Sequence, residues 1–185
     1  MVKLSEKENE EKQELLTKGE ISIMLDTYDD IFSSFDPRPY SQRALSDDFL
    51  LEAKKATRDK EEGLELRFIL PRDKRNFEHE ILIKKRLRDH FKKHVLILEK
   101  EIKDIKKKGF LMAIAGIVMI ILATYFLSLK SDNFLIHFLI VILEPAGWFT
   151  AWTGLDEIYY TTRSKKPDFE FYSKMTNADI HFLTY

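Results

Sequence analysis

The sequence predicts a mainly α-helical membrane protein, in which a two-helix transmembrane hairpin is joined to a small cytoplasmic α+β layer. Two long apolar runs lie close together in the second half of the chain, with a very short polar segment between them. Basic residues cluster outside this pair of runs, and helical periodicity leads into the first run without an interrupting proline. We therefore expect the first span to be continuous with a long cytoplasmic helix, and both chain ends to build the α+β layer.

The composition excludes several classes of protein. Lys and Arg total 30 against 31 Asp and Glu over 185 residues, so the net charge of -1 gives no general reason to expect a nucleic-acid partner. The chain has no cysteine, which excludes a disulfide scaffold, a thiolate zinc site and a Cys nucleophile. The average of 33% charged and 44% hydrophobic residues would suit a soluble protein, but the two kinds of residue are segregated along the chain.

Residues 1–20 are charged and of low complexity, so we expect a disordered or frayed start that is too polar for a signal peptide. Residues 21–72 are predicted to form a cytoplasmic α+β segment. Ser46 is a suitable N-cap for a helix that ends near Arg58. Alternation of apolar and polar residues predicts three short strands, over residues 21–25, 64–68 and 180–182.

Both spans are predicted from length and lack of charge. The first run contains no charged residue, and the only formal charge within residues 133–155 is Glu144. A buried hairpin of a soluble protein is the alternative, although uncharged helices of this length are uncommon in soluble cores. The predicted segments are a long helix over residues 73–108, the first span over 109–129, an external turn at 130–132, the second span over 133–160 and a cytoplasmic tail with a strand over 161–185.

The positions of charged and aromatic residues predict the orientation. The turn between the spans carries a single basic residue, Lys130, so the positive-inside rule places both termini in the cytoplasm of a multi-pass inner-membrane protein. The basic residues outside the hairpin are Lys103, Lys106, Lys107, Lys108, Arg163, Lys165 and Lys166. Four aromatic residues are predicted to anchor the second span at the interface: Trp148, Trp152, Tyr159 and Tyr160.

A heptad seam runs along the long helix and into the first span. Its members are Phe91, Val95, Leu98, Ile102, Ile105, Gly109 and Gly116. Small residues at the membrane end allow two helices to approach closely. We expect the seam to drive formation of a homo-oligomer, while packing against the second span of the same chain is the alternative.

Glu144 is the sharpest candidate for function. A carboxylate in the middle of a span costs about 2.5–3.5 kcal/mol on insertion scales, so it must be protonated, paired or wetted. Pro145 removes a helical hydrogen bond beside it, and His137 lies seven residues earlier on the same face. An ion or proton pathway, an interhelical hydrogen bond and a shallow position near the headgroups all remain open.

A proline-rich segment is the candidate for binding a cytoplasmic protein partner. Its residues are Asp36, Pro37, Arg38, Pro39, Tyr40 and Arg43. Two prolines exclude a helix interior and favour an extended segment. The acidic residues around Asp29 do not have the spacing of a calcium loop, and pairing with Arg38 and Arg43 or a solvated turn is the simpler interpretation.

Other chemical sites are weakly indicated. His90 and His94 stand at i and i+4, a spacing that can hold one metal ion, but a basic helix face is the favoured interpretation and no third ligand is evident. The basic residues between Lys84 and Lys93 also suit a solvated helix face. No phosphate-binding loop, nucleophile elbow or catalytic triad spacing is present. We predict no enzyme activity, no cofactor and no metal.

Four features together resemble a family of small, largely uncharacterised prokaryotic membrane proteins with two spans. They are FDPRPYSQRAL at residues 35–45, RLRDHF at 86–91, the tight hairpin, and EPAGWFTAWTGLDEIYY at 144–160. The resemblance covers most of residues 26–183. It implies a common architecture with conserved positions in the second span, filled here by Glu144, Gly147, Trp148, Trp152 and Glu157. Pro145, and Gly154-Leu155 in place of a basic residue and Pro, depart from the family pattern.

Two functions follow from these observations. The favoured one is a homo-oligomeric ion-conducting or transport protein that places Glu144 in its pathway. The alternative is a membrane-anchored scaffold or sensor, whose cytoplasmic α+β domain binds a protein partner. Membrane lipid is the other expected partner.

Overall fold

A computed structural model describes residues 19–58, 60 and 63–185 of the chain. The frayed start expected over residues 1–20 therefore lies almost wholly outside the described residues. The helices and strands are, in chain order, β1 (Glu20–Met24), α1 (Asp47–Thr57), β2 (Glu65–Leu70), α2 (Phe77–Ser128), α3 (Phe134–Asp156), a π-helical turn (Glu157–Thr161), α4 (Thr162–Thr176) and β3 (Asp179–Thr184), with 3-10 turns at Tyr28–Ile31 and Arg72–Lys74.

The chain divides into two compact units. The first combines the described residues up to Val95 with Glu170–Tyr185, and the second is Leu96–Phe169. Helices α2 and α4 contribute residues to both units.

The three predicted strands are all present in the first unit, and they form one sheet in the order β1-β2-β3. Both pairings are parallel, with Leu66 opposite Ile21 on one side and Ile180 on the other. Parallel neighbours require a crossover connection, and the whole of α2, α3 and α4 lies between β2 and β3. The layer is therefore an α/β arrangement rather than the α+β arrangement predicted, because alternation reveals strands but not their directions.

One face of the sheet carries the core of the first unit. Leu66, Phe68 and Leu70 of β2 have no exposed surface. The helices cover this face with apolar side chains, namely Phe49 and Ala53 of α1, Ile83, Leu87 and Phe91 of α2, and Phe171 and Met175 of α4. Burial of these side chains is the main force that stabilises the unit.

Capping residues determine where two helices begin. The Ser46 side chain accepts a hydrogen bond from the Phe49 amide at 3.5 Å, which confirms the predicted N-cap of α1. The long helix begins at Phe77 rather than near Asp73, because Pro71 leads into a 3-10 turn. The Asn76 side chain then accepts the amide hydrogens of the first turn of α2.

The predicted continuity of α2 is confirmed. The helix has 52 residues, which corresponds to about 78 Å. It and the continuous helical stretch Phe134–Thr176 are each long and apolar enough to cross a membrane. Between them, Lys130 adopts a left-handed backbone conformation and Asn133 caps α3 by accepting the Leu135 amide hydrogen at 2.9 Å.

Glycines allow α2 and α3 to pack closely within the second unit. A Cβ atom added to Gly116 would lie 2.5 Å from the carbonyl oxygen of Gly147, and one added to Gly154 would lie 2.5 Å from the carbonyl oxygen of Gly109. Both distances are too short for any side chain. Backbone-to-backbone contact of this kind is typical of small-residue helix packing in apolar surroundings.

The segment after the second apolar run contains a helix that the sequence did not reveal. The predicted tail over residues 161–185 held only a strand, whereas α4 occupies its first half. Pro167 and the polar composition conceal this helix, because a proline inside a helix removes one hydrogen bond. The buried pair Phe171 and Met175, one turn apart, fixes α4 against the sheet.

Candidate functional site on the helical hairpin

Glu144 lies near the middle of α3, and its side chain is exposed. No hydrogen bond or ion pair joins it to any side chain in the part of the chain that the structure describes. It stands ten residues, or about 15 Å, from the start of α3. The carboxylate is thus presented on the outside of the hairpin, far from either end of the apolar run.

The glycine contacts fix what lies at the same level as Glu144. Gly109 faces Gly154 and Gly116 faces Gly147, so opposing positions are related by a constant register. Three residues further towards the turn, this register places Glu144 level with Met119. The opposing helix therefore offers no charged side chain at this level, as the length of the turn predicts.

His137 and Glu144 share one face of α3 with two large apolar residues. Val141 and Trp148 complete a 4-3-4 spacing along this face, and they are 69% and 53% exposed. His137 is exposed as well. Because seven residues separate the imidazole from the carboxylate by about 10 Å along the axis, the two groups share a surface without touching.

Pro145 follows the carboxylate directly and lies inside α3. It has no amide hydrogen to donate to the Val141 carbonyl, so this carbonyl lacks its usual helical hydrogen bond one turn away from Glu144. The helix continues unbroken through this position to Asp156. The exposed Glu144 carboxylate and the exposed His137 imidazole are therefore the polar side chains on a face that otherwise carries Val141 and Trp148.

The predicted interfacial residues are all exposed. Trp148 and Trp152 lie on α3 and Tyr159 and Tyr160 lie on the π-helical turn, with exposures between 53% and 64%. The two tyrosine rings are perpendicular, with centroids 5.0 Å apart. Their exposure leaves these rings available to surroundings outside the chain.

The heptad seam is used largely within the chain. In the first unit, Phe91 is fully buried and its ring contacts those of Phe171 and Tyr172 at centroid distances of 6.1 and 6.2 Å. In the second unit, Leu98 is buried and Ile102 and Ile105 are half-buried. Val95, in the first unit, is half-buried as well.

Gly109 and Gly116 are the seam residues that pack most clearly within the chain, and the expected homo-oligomer stays a prediction. Each is buried against a glycine of α3, so no space is left for a helix of another copy at these two positions. This is the intrachain alternative that the sequence left open. The seam pattern could not distinguish the two because a hairpin and a dimer bury the same helical stripe.

The proline-rich segment is organised by its own acidic and basic residues. Asp36 accepts hydrogen bonds from the Arg38 guanidinium at 2.7 and 2.9 Å and from the Ala44 amide at 2.7 Å. The hydrogen bonds from Arg38, followed by that from Ala44, hold the pKa of the Asp36 carboxyl well below its usual range. Asp36 is therefore a residue that shapes the loop.

Arg43 and Tyr40 have the same kind of role. Arg43 donates to the Asp29 carboxylate at 2.5 Å and to the Ser33 carbonyl at 3.1 Å. Tyr40 stacks on Phe32 at 5.2 Å. The predicted pairing of the acidic cluster with Arg38 and Arg43 is confirmed. What the loop presents to solvent is the neighbouring Phe35, 95% exposed, with the exposed residues Pro37, Arg38 and Pro39.

His90 and His94 form a stack with Tyr172 instead of a basic face. The imidazole centroids are 4.1 Å apart, and His94 lies 4.8 Å from the tyrosine ring. Burial, with a smaller effect of the neighbouring His94, lowers the pKa of His90 to about 4. Within residues 19–58, 60 and 63–185, no three His, Cys, Asp or Glu side chains come together as metal ligands.

Sequence reasoning also missed a buried ionic network. Glu80 accepts two hydrogen bonds from Arg75, at 2.7 and 2.9 Å, and one from the Tyr28 hydroxyl at 3.0 Å. Tyr28 in turn accepts the Asn76 amide hydrogen at 2.9 Å. No local pattern signals this network, since Tyr28 and Glu80 are 52 residues apart in the chain.

No family model, curated protein or solved structure matches this chain. The family resemblance remains a prediction, and the site rests on its own geometry.

Proposed function

We propose that the protein crosses the cytoplasmic membrane twice, through α2 and α3, with both termini in the cytoplasm. Only 17% of the apolar stretch of the first helix and 6% of that of the second are buried within the chain. The core helix of a soluble protein would be mostly buried, so this much exposed apolar surface favours lipid as the surrounding medium. The basic residues flanking the hairpin support the orientation.

We further propose that copies of the hairpin assemble around a water-containing pathway that contains Glu144, in an ion-conducting or transport protein. The observation that carries this proposal is the exposed, unpaired Glu144 in the middle of α3. In lipid, an ionised carboxylate at this depth costs about 2.5–3.5 kcal/mol on insertion scales. An assembly that turns this surface towards water removes the cost and gives the carboxylate a role in attracting cations.

Two faces of α3 have to be distinguished: the glycine face, with Gly147 and Gly154, and the Glu144 face, with His137, Val141, Glu144 and Trp148. The surface available for such assembly is the Glu144 face. The glycine face is filled by the opposing helix, whereas His137, Val141, Glu144 and Trp148 are exposed together. A subunit contact along this face brings the carboxylates of several copies near one axis. Polar groups then lie inside and the remaining apolar surface faces lipid.

The test is cation flux through liposomes that contain purified full-length protein. Glu144→Gln keeps the size and hydrogen-bonding capacity of the side chain and removes its charge, so cation selectivity or conductance falls while the oligomer persists. Asp104→Asn, on the exposed part of α2 before the first apolar run, removes a charge outside the pathway and serves as the matched control. Absence of flux through the wild-type protein under voltage, pH gradient or tension contradicts the proposal.

The alternative is a membrane-anchored scaffold or sensor that binds a protein partner through the first unit, which contains the sheet and is called the sheet-containing unit below. Phe35, 95% exposed beside the exposed prolines, is the observation that favours it. A scaffold tolerates Glu144→Gln, or gains stability from it, because a costly charge is removed. The same liposome experiment, combined with a measurement of oligomer size, therefore separates the two functions.

A further inference from the structure

A groove on α3 and the π-helical turn combines aromatic rings with a single carboxylate. Its volume is about 450 Å3, and the residues that give it chemical character are Phe149, Trp152, Asp156, Tyr159 and Tyr160. We call this feature the aromatic groove. The groove includes two residues of the π-helical turn, Tyr159 and Tyr160, and π-helical turns inside longer helices often coincide with functional sites.

Among the described residues, Asp156 is the only charged one that lines the aromatic groove. It is exposed, and no hydrogen bond or ion pair connects it to another side chain among the described residues. The adjacent Glu157, in contrast, receives a hydrogen bond from Lys108 of α2 at 3.4 Å. Asp156 therefore presents an uncompensated negative charge to whatever occupies the groove.

The position of Asp156 around the helix keeps it away from α2. Nine residues, or two and a half turns, separate Asp156 from Gly147, so the two point to opposite sides of α3. Gly147 faces α2, and the aromatic groove consequently faces outwards. Its ligand must come from the surroundings of the hairpin.

The rings around this carboxylate favour an organic cation. Trp152 is 63% exposed, and the perpendicular rings of Tyr159 and Tyr160 form a corner next to Asp156. Aromatic faces attract ammonium groups, and tryptophan does so most strongly. A bare metal ion would require several oxygen ligands, which one carboxylate among rings does not supply.

The level of the groove along α3 identifies the source of this cation. Asp156 lies twelve residues, or about 18 Å, beyond Glu144 at the middle of the span. Half of a hydrocarbon core is about 15 Å, so the carboxylate reaches the headgroup layer on the cytoplasmic side.

We propose that the aromatic groove binds the ammonium headgroup of a zwitterionic phospholipid such as phosphatidylethanolamine. This inference rests on the membrane crossing proposed above and is independent of ion conduction. The ammonium group lies against the Trp152 and tyrosine rings and pairs with the Asp156 carboxylate, while the acyl chains follow the apolar surface of α3. Bound lipid then covers the face of α3 that points away from α2.

The test counts lipids retained by the full-length protein after reconstitution in vesicles of phosphatidylethanolamine and phosphatidylglycerol, using native mass spectrometry. The wild-type protein is expected to retain phosphatidylethanolamine preferentially. Asp156→Asn and Trp152→Leu are each expected to lower this retention roughly fivefold, since each removes one of the attractions on the cation. Asp132→Asn, which removes an exposed carboxylate at the other end of α3, is the matched control and should leave retention unchanged.

Three outcomes overturn the proposal. They are retention by Asp156→Asn equal to that of the wild type, preference for phosphatidylglycerol, and displacement of the lipid by soluble ethanolamine at equal concentration, which would assign the groove to a free amine. Quenching of Trp152 fluorescence by brominated lipid, measured in a Trp148→Phe variant so that Trp152 is the one tryptophan, is a second readout. Its absence would also overturn the proposal, because it would show that another copy of the chain covers the groove. Failure of the protein to float with vesicles of any composition would instead contradict the membrane crossing itself.

Discussion

Glu80 is the one charged residue that is buried among the described residues, with 4% of its surface exposed. Glu80 lies in the first turn of α2. Two hydrogen bonds from Arg75 and one from Tyr28 satisfy its carboxylate. Removing one partner of a buried pair leaves the others desolvated without compensation. The network therefore holds the start of α2 to the segment that follows β1.

We predict that Glu80→Ala lowers the free energy of unfolding by about 2–3 kcal/mol. The value lies below the range of about 3–5 kcal/mol for breaking a fully buried pair, because a third of the Arg75 side chain stays exposed to water. Denaturant unfolding in detergent, followed by circular dichroism, measures the loss. Glu78→Ala is the control, since Glu78 is exposed on the same helical turn, and an equal loss in both variants would contradict this role of Glu80.

His90 makes the stability of the first unit depend on pH. Its pKa is about 4 in the folded protein against an ordinary value of 6.5, so the unfolded chain binds the proton more readily. Stability contributed by neutral His90 is complete above pH 6.5 and is lost progressively as the pH falls towards 4. Because the ring is only half-buried, we expect a loss of about 1–2 kcal/mol over this interval.

His90→Phe should flatten this part of the pH profile, because phenylalanine keeps a ring beside His94 and cannot take up a proton. Unfolding measured at intervals between pH 7 and 4 tests the prediction. His181→Phe, at an exposed position of β3, should leave the profile as in the wild type. A His90→Phe profile with the wild-type slope would show that other groups cause the dependence.

At the scale of the elements, the glycines determine how closely α2 and α3 pack. A side chain at Gly116 meets the backbone of α3, which cannot move aside as a flexible side chain does. Inserting atoms into a close-packed contact usually costs about 1–3 kcal/mol.

We predict that Gly116→Leu lowers the free energy of unfolding by about 3 kcal/mol, the upper end of that range, and lowers the melting temperature accordingly. Ala115→Leu adds a similar volume at the neighbouring exposed position of the same helix and should be nearly neutral. Thermal melting in detergent compares the two variants. Equal melting temperatures would contradict the packing of these helices against each other.

The elements also show what local sequence can and cannot predict. Period-two alternation revealed the strands, and Ser46 and the uninterrupted periodicity revealed where α1 begins and how far α2 runs, because these signals act over a few residues. The parallel direction of β2 and β3, the helix around Pro167 and the ring stack of His94 on Tyr172 depend on residues far apart in the chain. For the candidate site, the sequence predicted that Glu144 lies level with Met119 of the opposing helix. It could not tell whether Gly109 and Gly116 contact a helix of the same chain or of another copy, because both packings bury the same stripe.

At the scale of the whole molecule, the connection between β2 and β3 is the main architectural feature. The two strands are hydrogen-bonded neighbours, yet all of the apolar hairpin lies between them in the chain. The sheet can form only if the segments before and after the hairpin return to the same side. The strand pairing therefore supports the part of the proposal that places both ends of the hairpin on one side of the membrane, whichever side that is.

The most direct test of this account uses the absence of natural cysteines. Three single-cysteine variants are treated with a membrane-impermeant maleimide in intact cells. They are Asp132→Cys in the turn, Ser34→Cys in the sheet-containing unit and Ile121→Cys on the exposed apolar surface of α2. We predict labelling of Asp132→Cys in intact cells, labelling of Ser34→Cys only after permeabilisation, and labelling of Ile121→Cys only after the membrane is dissolved in denaturing detergent. Labelling of Ser34→Cys in intact cells, or of Ile121→Cys in an undissolved membrane, would contradict the proposed two-span topology.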